Sequence, residues 1–308
     1  MIYTLTLNPS IDYHMDPMSL NYGKTNRSRA EHYTYRGKGI NVSVVLNRLG
    51  VDTVALGPIG GYTGAEIARL VKAEGVKTDF TLLSEGVSRI NVKLSGHPET
   101  EINADGPHVT DVEKEALIEK LLATKAGDTV VLSGSVPGSI GTGFYAKLMA
   151  RLAGRGIRFV LDASGGEFAR ALAMGPYLVK PNLAEAEAYI GQPLKTEQEQ
   201  IYAMTVMQSR GAKNVILSRG AAGALFLAED GRIWRADGFR GHVINTVGAG
   251  DSMLAGFLSA CGENDPREAF LLAMCAGSAA AFSPALPYPD AILAVCAREQ
   301  ADGVTQIR

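Results

Sequence analysis

Residues 244–253 read INTVGAGDSM, two glycines and an alanine set against one carboxylate, Asp251, just ahead of an apolar run. Beyond Asp251 the apolar positions fall at Met253, Leu254, Phe257, Leu258 and Cys261, the stripe of a helix lying on a core. The spacing predicts a helix with Asp251 in its first turn. Such an end presents unpaired N–H groups and the positive pole of the helix dipole, and small residues admit an anion close to them. The same residues serve equally as a tight turn followed by an acid that supports the dipole. The rest of the chain has to decide.

The chain has 308 residues, 46% of them hydrophobic, which suits one large α/β domain spanning 1–308 with a small appendage. Its 30 basic and 32 acidic residues nearly cancel, so no broad field favours nucleic acid or an anionic membrane. An anionic ligand must be held by a local site. The thiols are Cys261, Cys275 and Cys296, on apolar helical runs and without a C-x-x-C pair. That usage argues against a disulfide or zinc framework and for a reducing compartment. The opening MIYTLTLNPSID lacks the basic segment of a signal peptide, and AFLLAMCAGSAAAF is shorter than a membrane span and broken by Gly277 and Ser278. A cytoplasmic protein with no membrane partner is expected. His14, His32, His97, His108 and His242 are scattered without ligand spacing and read as surface or packing residues.

Short apolar runs alternate with amphipathic ones: IYTLTL, INVSVVLNRLG, TVALGPIG, GAEIARLVKAEG, and later DTVVLSG, GFYAKLMARLAGRG and RFVLDAS. Strand followed by helix, repeated, predicts a doubly wound, mostly parallel sheet covered on both faces. Ligands of such sheets bind beyond the carboxyl ends of the strands. RINVKLSG and TEINAD break the alternation as two short strands joined through HPE (residues 97–99), with Ile90, Val92 and Leu94 on one face and Arg89, Asn91 and Lys93 on the other. With residues 12–36, the segment 88–106 predicts a small β lid inserted in the same domain. Its polar face either greets an anion or is simply solvated.

Residues just after the strands are therefore the candidates for ligand contact. Asp12 follows the first strand in LNPSID, and RGKGINV sets Lys38 between Gly37 and Gly39 with Asn41 in the next helical turn. These residues look like a polyol and phosphate site, although Asp12 alone reads as a turn cap and Lys38 alone as an exposed cation. SGSVP and DASGG again place small polar residues at strand ends. VKPNLAE supplies Lys180, Asn182 and Glu185; the amide and the carboxylate are hard oxygen ligands suited to Mg²⁺ through water, and Glu185 reads equally as a helix-opening acid with no metal. LSRGAAGAL gives a turn from Ser218 through Gly220 to Gly223 that either lies along a nucleotide or is a plain hairpin turn. The chain has no P-loop, no G-x-G-x-x-G fingerprint and no G-x-S-x-G elbow.

Together TLNPSID, GKGINVS, RINVKL, LSGSVP, VKPNLAE and NTVGAGDS resemble, in order and across essentially the whole chain, the phosphofructokinase B branch of the ribokinase-like sugar kinases. The resemblance implies a ribokinase-like, Rossmann-like fold with a β lid, ATP and Mg²⁺ as cofactors, and phosphoryl transfer to a sugar phosphate. Within the branch the chain is most similar to members acting on the 6-hydroxyl of D-fructose 1-phosphate to give fructose 1,6-bisphosphate. Tagatose 6-phosphate or fructose 6-phosphate as acceptor, and a non-catalytic sugar-phosphate sensor, are the alternatives. By resemblance Asp251 is the general base, and the N–H groups of Gly248, Ala249, Gly250 and Asp251 form an anion hole. Asp12, Gly37, Lys38, Gly39, Asn41 and Asn91 match sugar-binding positions, with Arg27, Lys38 and Arg89 as candidates for the substrate phosphate. Lys180, Asn182, Glu185, Ser218, Gly220, Gly223, Thr246, Gly248 and Gly250 match the nucleotide and metal region, Glu185 and Asn182 meeting the metal through water. The resemblance also implies a homodimer through the lid. Arg36 departs from the pattern, standing where the family commonly has a small residue before Gly-Lys-Gly.

Overall fold

The computed structural model describes residues 1–17, 19–95, 100–261, 265–299 and 303–308. The first half of the chain forms β1 (Ile2–Thr6), β2 (Ser10–Pro17), β3 (Ser28–Arg36), α1 (Lys38–Arg48), β4 (Thr53–Leu56), β5 (Pro58–Ile59) and α2 (Gly61–Ala73). There follow β6 (Lys77–Thr78), β7 (Thr81–Leu82), β8 (Arg89–Leu94), β9 (Thr100–Ile102), α3 (Asp111–Leu122), β10 (Thr129–Ser133) and α4 (Phe144–Arg151). Next come β11 (Arg158–Asp162), α5 (Gly165–Leu172), β12 (Leu178–Val179), α6 (Leu183–Ile190), α7 (Glu197–Ser209) and β13 (Asn214–Ser218). The chain closes with β14 (Ala224–Leu227), β15 (Ile233–Ala236), α8 (Ala249–Ala260), α9 (Pro266–Ala281), α10 (Pro289–Glu299) and β16 (Thr305–Gln306).

The main sheet has ten strands in the order β16-β15-β14-β13-β12-β11-β10-β1-β4-β6. From β6 to β13 the pairings are parallel, and β14, β15 and β16 extend the sheet antiparallel. The expected parallel core is present, with an antiparallel edge built from hairpins. Side chains alternate across it as a pleat of period two demands. Val131, Val160, Leu178, Ile216 and Phe226 pack with α1, α2, α8, α9 and α10. Their strand neighbours Val130, Leu132, Leu161, Val179 and Leu217 pack with α3 to α7 on the other face. Phe226 anchors the first layer, 5.4 Å from Trp234 and 5.1 Å from Phe257 between ring centroids. No helix of the described residues is long and apolar enough to cross a membrane.

The chain leaves β1 toward β4 and β6 on one side, and returns at β10 to build the other side outward. The two directions diverge between β1 and β10, the switch point where doubly wound sheets open a crevice at their carboxyl ends. A second sheet, β3-β2-β8-β9, stands over that end, with β2 parallel to β8 and antiparallel to β3. The β8–β9 pairing is antiparallel as expected, while the HPE connection, His97 included, lies outside the described residues. Of the other histidines, His14 and His32 stack on each other across β2 and β3, with ring centroids 4.6 Å apart.

Candidate active site at the carboxyl edge of the sheet

α8 starts at Gly248, which serves as N-cap in the left-handed region at φ 82°. A Cβ there would meet Leu286 Cδ2 at 2.7 Å, so conformation and space both call for glycine. This end has no side-chain cap, which leaves first-turn N–H groups to a ligand. Asp251 sits in that turn, buried, and its Oδ2 accepts a 2.7 Å hydrogen bond from Asn41 Nδ2 on α1. Burial, followed by the charge of Asp162, pushes the Asp251 carboxyl up to about 6 against the pull of Asn41, Lys180 and Lys38.

Asp162, the last residue of β11, is the centre of the charged cluster. It is 1% exposed and lies between two ammonium groups, Lys38 Nζ at 3.1 Å and Lys180 Nζ at 3.4 Å. Burial works against its charge, and Lys180 and Lys38 outweigh burial to hold its carboxyl below the usual range. Burial likewise opposes the charge on Lys38, yet Asp162, Asp251 and Glu185 hold its pKa above the ordinary lysine value. Lys180 reaches over α8 as well: a Cβ on Gly250 would stand 3.2 Å from its Nζ. Two buried carboxylates and two ammonium groups thus meet at the opening of one helix.

A cleft of about 350 Å³ leads to this cluster, lined by Thr6, Asn8, Gly37, Lys38, Arg89, Ser133 and Glu185 among others. α1 reaches the end of β1 because its glycines permit it. A Cβ on Gly39 would lie 2.7 Å from Thr6 Oγ1, one on Gly37 2.7 Å from Thr6 Cγ2, and Ile40 N donates to Thr6 Oγ1 at 3.0 Å. At the far rim β2 and β8 supply Asp12 and Asn91, both buried. Asp12 Oδ1 accepts from Asn91 Nδ2 at 2.8 Å and from Ser10 Oγ at 2.9 Å. Arg89 is pinned by its Nε donating to Asn8 O at 3.2 Å and its Nη1 to Ala104 O at 3.3 Å. The buried face of β8 is therefore its polar one at Asn91.

Toward the antiparallel edge, an isolated bridge joins Asn182 to Ser218 and brings the VKPN and LSRG segments side by side. Gly220 opens a 3-10 turn, Gly220–Ala222, and Gly223 closes it at φ 90° with Ala236 O only 2.1 Å from where a Cβ would be. Thr246 is exposed on the approach to α8. Asn182 Oδ1 accepts from Glu185 N at 2.8 Å while Glu185 Oε2 accepts from Asn182 N at 2.9 Å, a capping box that engages one oxygen of each residue at the start of α6. Arg27 is exposed beside Ser28, at the opposite end of β3 from Arg36. Eight residues of strand at about 3.3 Å each separate those ends.

Thr6 and Asn8 have no role in the sequence reading, and Ser133 and Asp162 enter it only as the first residues of SGSVP and DASGG, with no role of their own. Each lies at or just beyond the carboxyl end of β11, β1 or β10, the places that the strand-end rule marks. A buried acid closing the apolar strand RFVLD was the available signal. A larger cavity of about 620 Å³, with Arg235, Phe239, Arg240 and Arg298 in its lining, shares no residue with this cleft.

Residues 5–287 match the model of the pfkB family carbohydrate kinases. The chain is 39% identical to 1-phosphofructokinase of Bacillus subtilis over 93% of this chain and 94% of that protein. It is 37% identical to D-tagatose-1-phosphate kinase of Bacillus licheniformis, again over 93% of this chain and 94% of the other. The crystal structure of phosphofructokinase-2 from Escherichia coli in complex with substrates and products superposes with a TM-score of 0.89 at 29% identity, covering 96% of this chain and 98% of that one.

Proposed function

Because the chain belongs to the pfkB family of carbohydrate kinases, we propose that it transfers the γ-phosphoryl group of ATP to the 6-hydroxyl of D-fructose 1-phosphate. The products are fructose 1,6-bisphosphate and ADP. The observation that carries the reading is Asp251, a buried carboxylate in the first turn of a helix with no side-chain cap, facing two lysines. Its pKa of about 6 suits a group that must be ionised near neutrality and still accept a proton. The sugar oxygen attacks the γ-phosphorus, its proton passes to Asp251, and the bond to the ADP oxygen breaks. First-turn N–H groups of α8, with Lys38 and Lys180, stabilise the charge on the transferring group.

The nucleotide lies along Lys180, Ser218, the Gly220 to Gly223 turn and Thr246. Glu185 fits Mg²⁺ by its chemistry: it lines the cleft, and Asn182 N engages only one oxygen of its carboxylate, Oε2. One carboxylate plus nucleotide phosphates and water is how that ion is usually held. When bound, it neutralises charge on the transferring phosphates. Asp12, Asn91, Gly37, Gly39 and Asn41 hold the sugar hydroxyls and Arg89 its phosphate. The four-stranded sheet acts as a lid that keeps water from taking the phosphoryl group. Tyr33 and Ile102, exposed on this sheet, suit pairing with a second copy through the lid. Free cysteines fit a cytoplasmic setting.

The second reading, tagatose 1-phosphate as acceptor, is favoured by the similarity to a kinase of that name. A coupled ADP-release assay with ATP and Mg²⁺ tests both, offering fructose 1-phosphate, tagatose 1-phosphate, fructose 6-phosphate, tagatose 6-phosphate and free fructose in parallel. The highest kcat/KM is expected with fructose 1-phosphate. Preference for tagatose 1-phosphate would change the acceptor, and no turnover of any would overturn the kinase reading in favour of a sugar-phosphate sensor.

A further inference from the structure

Arg36 ends β3 and Arg89 begins β8, and in register both stand opposite Ser10 of β2. Directly opposed residues share a face of the pleat, so the two guanidinium groups flank Ser10 on the side that carries Asp12. The next rows are Thr34, Asp12 and Asn91, then His32, His14 and Lys93. This face bears three cations. Lys93 is paired with Glu101, and Arg89 is held by two backbone carbonyls. Lys38, two residues past Arg36, is bound to Asp162 at the other end of the cleft.

Arg36 is held differently. Its Nε lies 3.7 Å from Asp12 Oδ2, within reach of ion pairing, yet is buried with no hydrogen-bond partner. Asn8 Oδ1, Thr34 Oγ1 and Asn91 Oδ1 are likewise buried and unpartnered. Buried polar atoms without partners destabilise a fold, and several on one polar face are accounted for when a polar ligand completes them. We infer that Arg36 is a specificity-determining residue that touches substrate: with Arg89 across Ser10, it receives the phosphate of the sugar phosphate. The inference rests on the sugar-phosphate reading above and deepens it. A small residue at this position leaves Arg89 to act alone. The guanidinium adds a second charge-assisted contact and sharpens discrimination against unphosphorylated sugars.

The test compares wild type, Arg36→Gln and Arg36→Lys as full-length protein, with melting temperatures confirming that each folds. Calorimetric titration with fructose 1-phosphate needs no turnover, and steady-state kinetics follow. Arg36→Gln is expected to weaken fructose 1-phosphate binding and raise its KM by about tenfold or more. KM for ATP should stay unchanged, and the preference for fructose 1-phosphate over free fructose should fall by a similar factor. Arg36→Lys, which keeps the charge without the fork, should fall between. Unchanged affinity for the sugar phosphate, with an active wild type, would overturn the inference alone. A loss in kcat without any change in KM would overturn it too, assigning Arg36 to the orientation of Asp12. Wild-type protein that neither binds nor phosphorylates a sugar phosphate would sink the inference together with the reading beneath it.

Discussion

The two ends of the cleft are built on opposite principles. Around Asp251 and Asp162 the carboxylates find partners within the chain, Asn41 and Lys38 from α1 and Lys180 from the end of β12. On the four-stranded sheet, Arg36 Nε, Thr34 Oγ1 and Asn91 Oδ1 are buried without partners. The chemical end is knit by ion pairs of 3.1 and 3.4 Å, with Asn41 Oδ1 and Asp162 Oδ2 still without hydrogen-bond partners, while at the sugar end Arg36 Nε stands 3.7 Å from Asp12 Oδ2. Rate should therefore depend on the first region and acceptor affinity on the second.

Asp251→Asn gives the largest expected effect, a fall in kcat of about 10²–10⁴-fold with ATP binding and melting temperature nearly unchanged. An active Asp251→Asn protein would break the comparison at its stronger end. Arg89→Ala tests the weaker end: KM for the sugar phosphate should rise about tenfold or more with a smaller effect on kcat. An unchanged KM would remove the lid from substrate binding. Asp162→Asn sharpens the link between the two carboxylates. It removes a negative neighbour that raises the Asp251 pKa and frees Lys38 and Lys180 to favour its ionised form, so the acid limb of the rate should move to lower pH. It also leaves two ammonium groups without their shared partner, and melting temperature should fall. A limb that stays or moves up would contradict this electrostatic account.

The smallest effect lies outside both ends. Glu113 closes a capping box with Thr110 on α3 and accepts from Ser84 N, and these hydrogen bonds hold its carboxyl down at about 2. Its folded value lies below the unfolded one, so its stability contribution is present above the unfolded value of about 4.3 and is lost as pH falls toward the folded one. Glu113→Gln should cost about 1 kcal/mol in denaturant unfolding at neutral pH and leave kcat untouched. A change in kcat would mean that the ends of the cleft are less independent of the scaffold than this comparison holds.

What was legible in the sequence was local. The α8 stripe, the glycine before it and the position of Asp251 follow from a helical period and a cap, both readable within twelve residues. The strand and helix alternation likewise gave the parallel core. Asp162 was not legible as a centre, because its meaning comes from Lys38, 124 residues earlier in the chain, and from Lys180 on the next strand's end. Arg27 and Arg36 look alike in composition, and only the length of β3 puts one at the cleft and the other at the far end. Asn182 and Glu185 carried the spacing of a capping box, and the structure realises that local pattern. The alternation of short apolar and amphipathic runs does not mark α3, nor β16, which pairs only after α10 has returned the chain to the sheet edge.

The central claim, that Asp251 takes the proton, is tested most directly by the pH dependence of kcat at saturating ATP and fructose 1-phosphate in wild type and Asp251→Asn. The account predicts a wild-type kcat that is level at high pH and falls about tenfold per pH unit below an acid limb set by Asp251, a carboxyl that burial already raises above its ordinary value in the unliganded protein. The residual rate of Asp251→Asn should lack that limb. The same limb surviving in Asp251→Asn would contradict the account, because the proton would then be passing to another group.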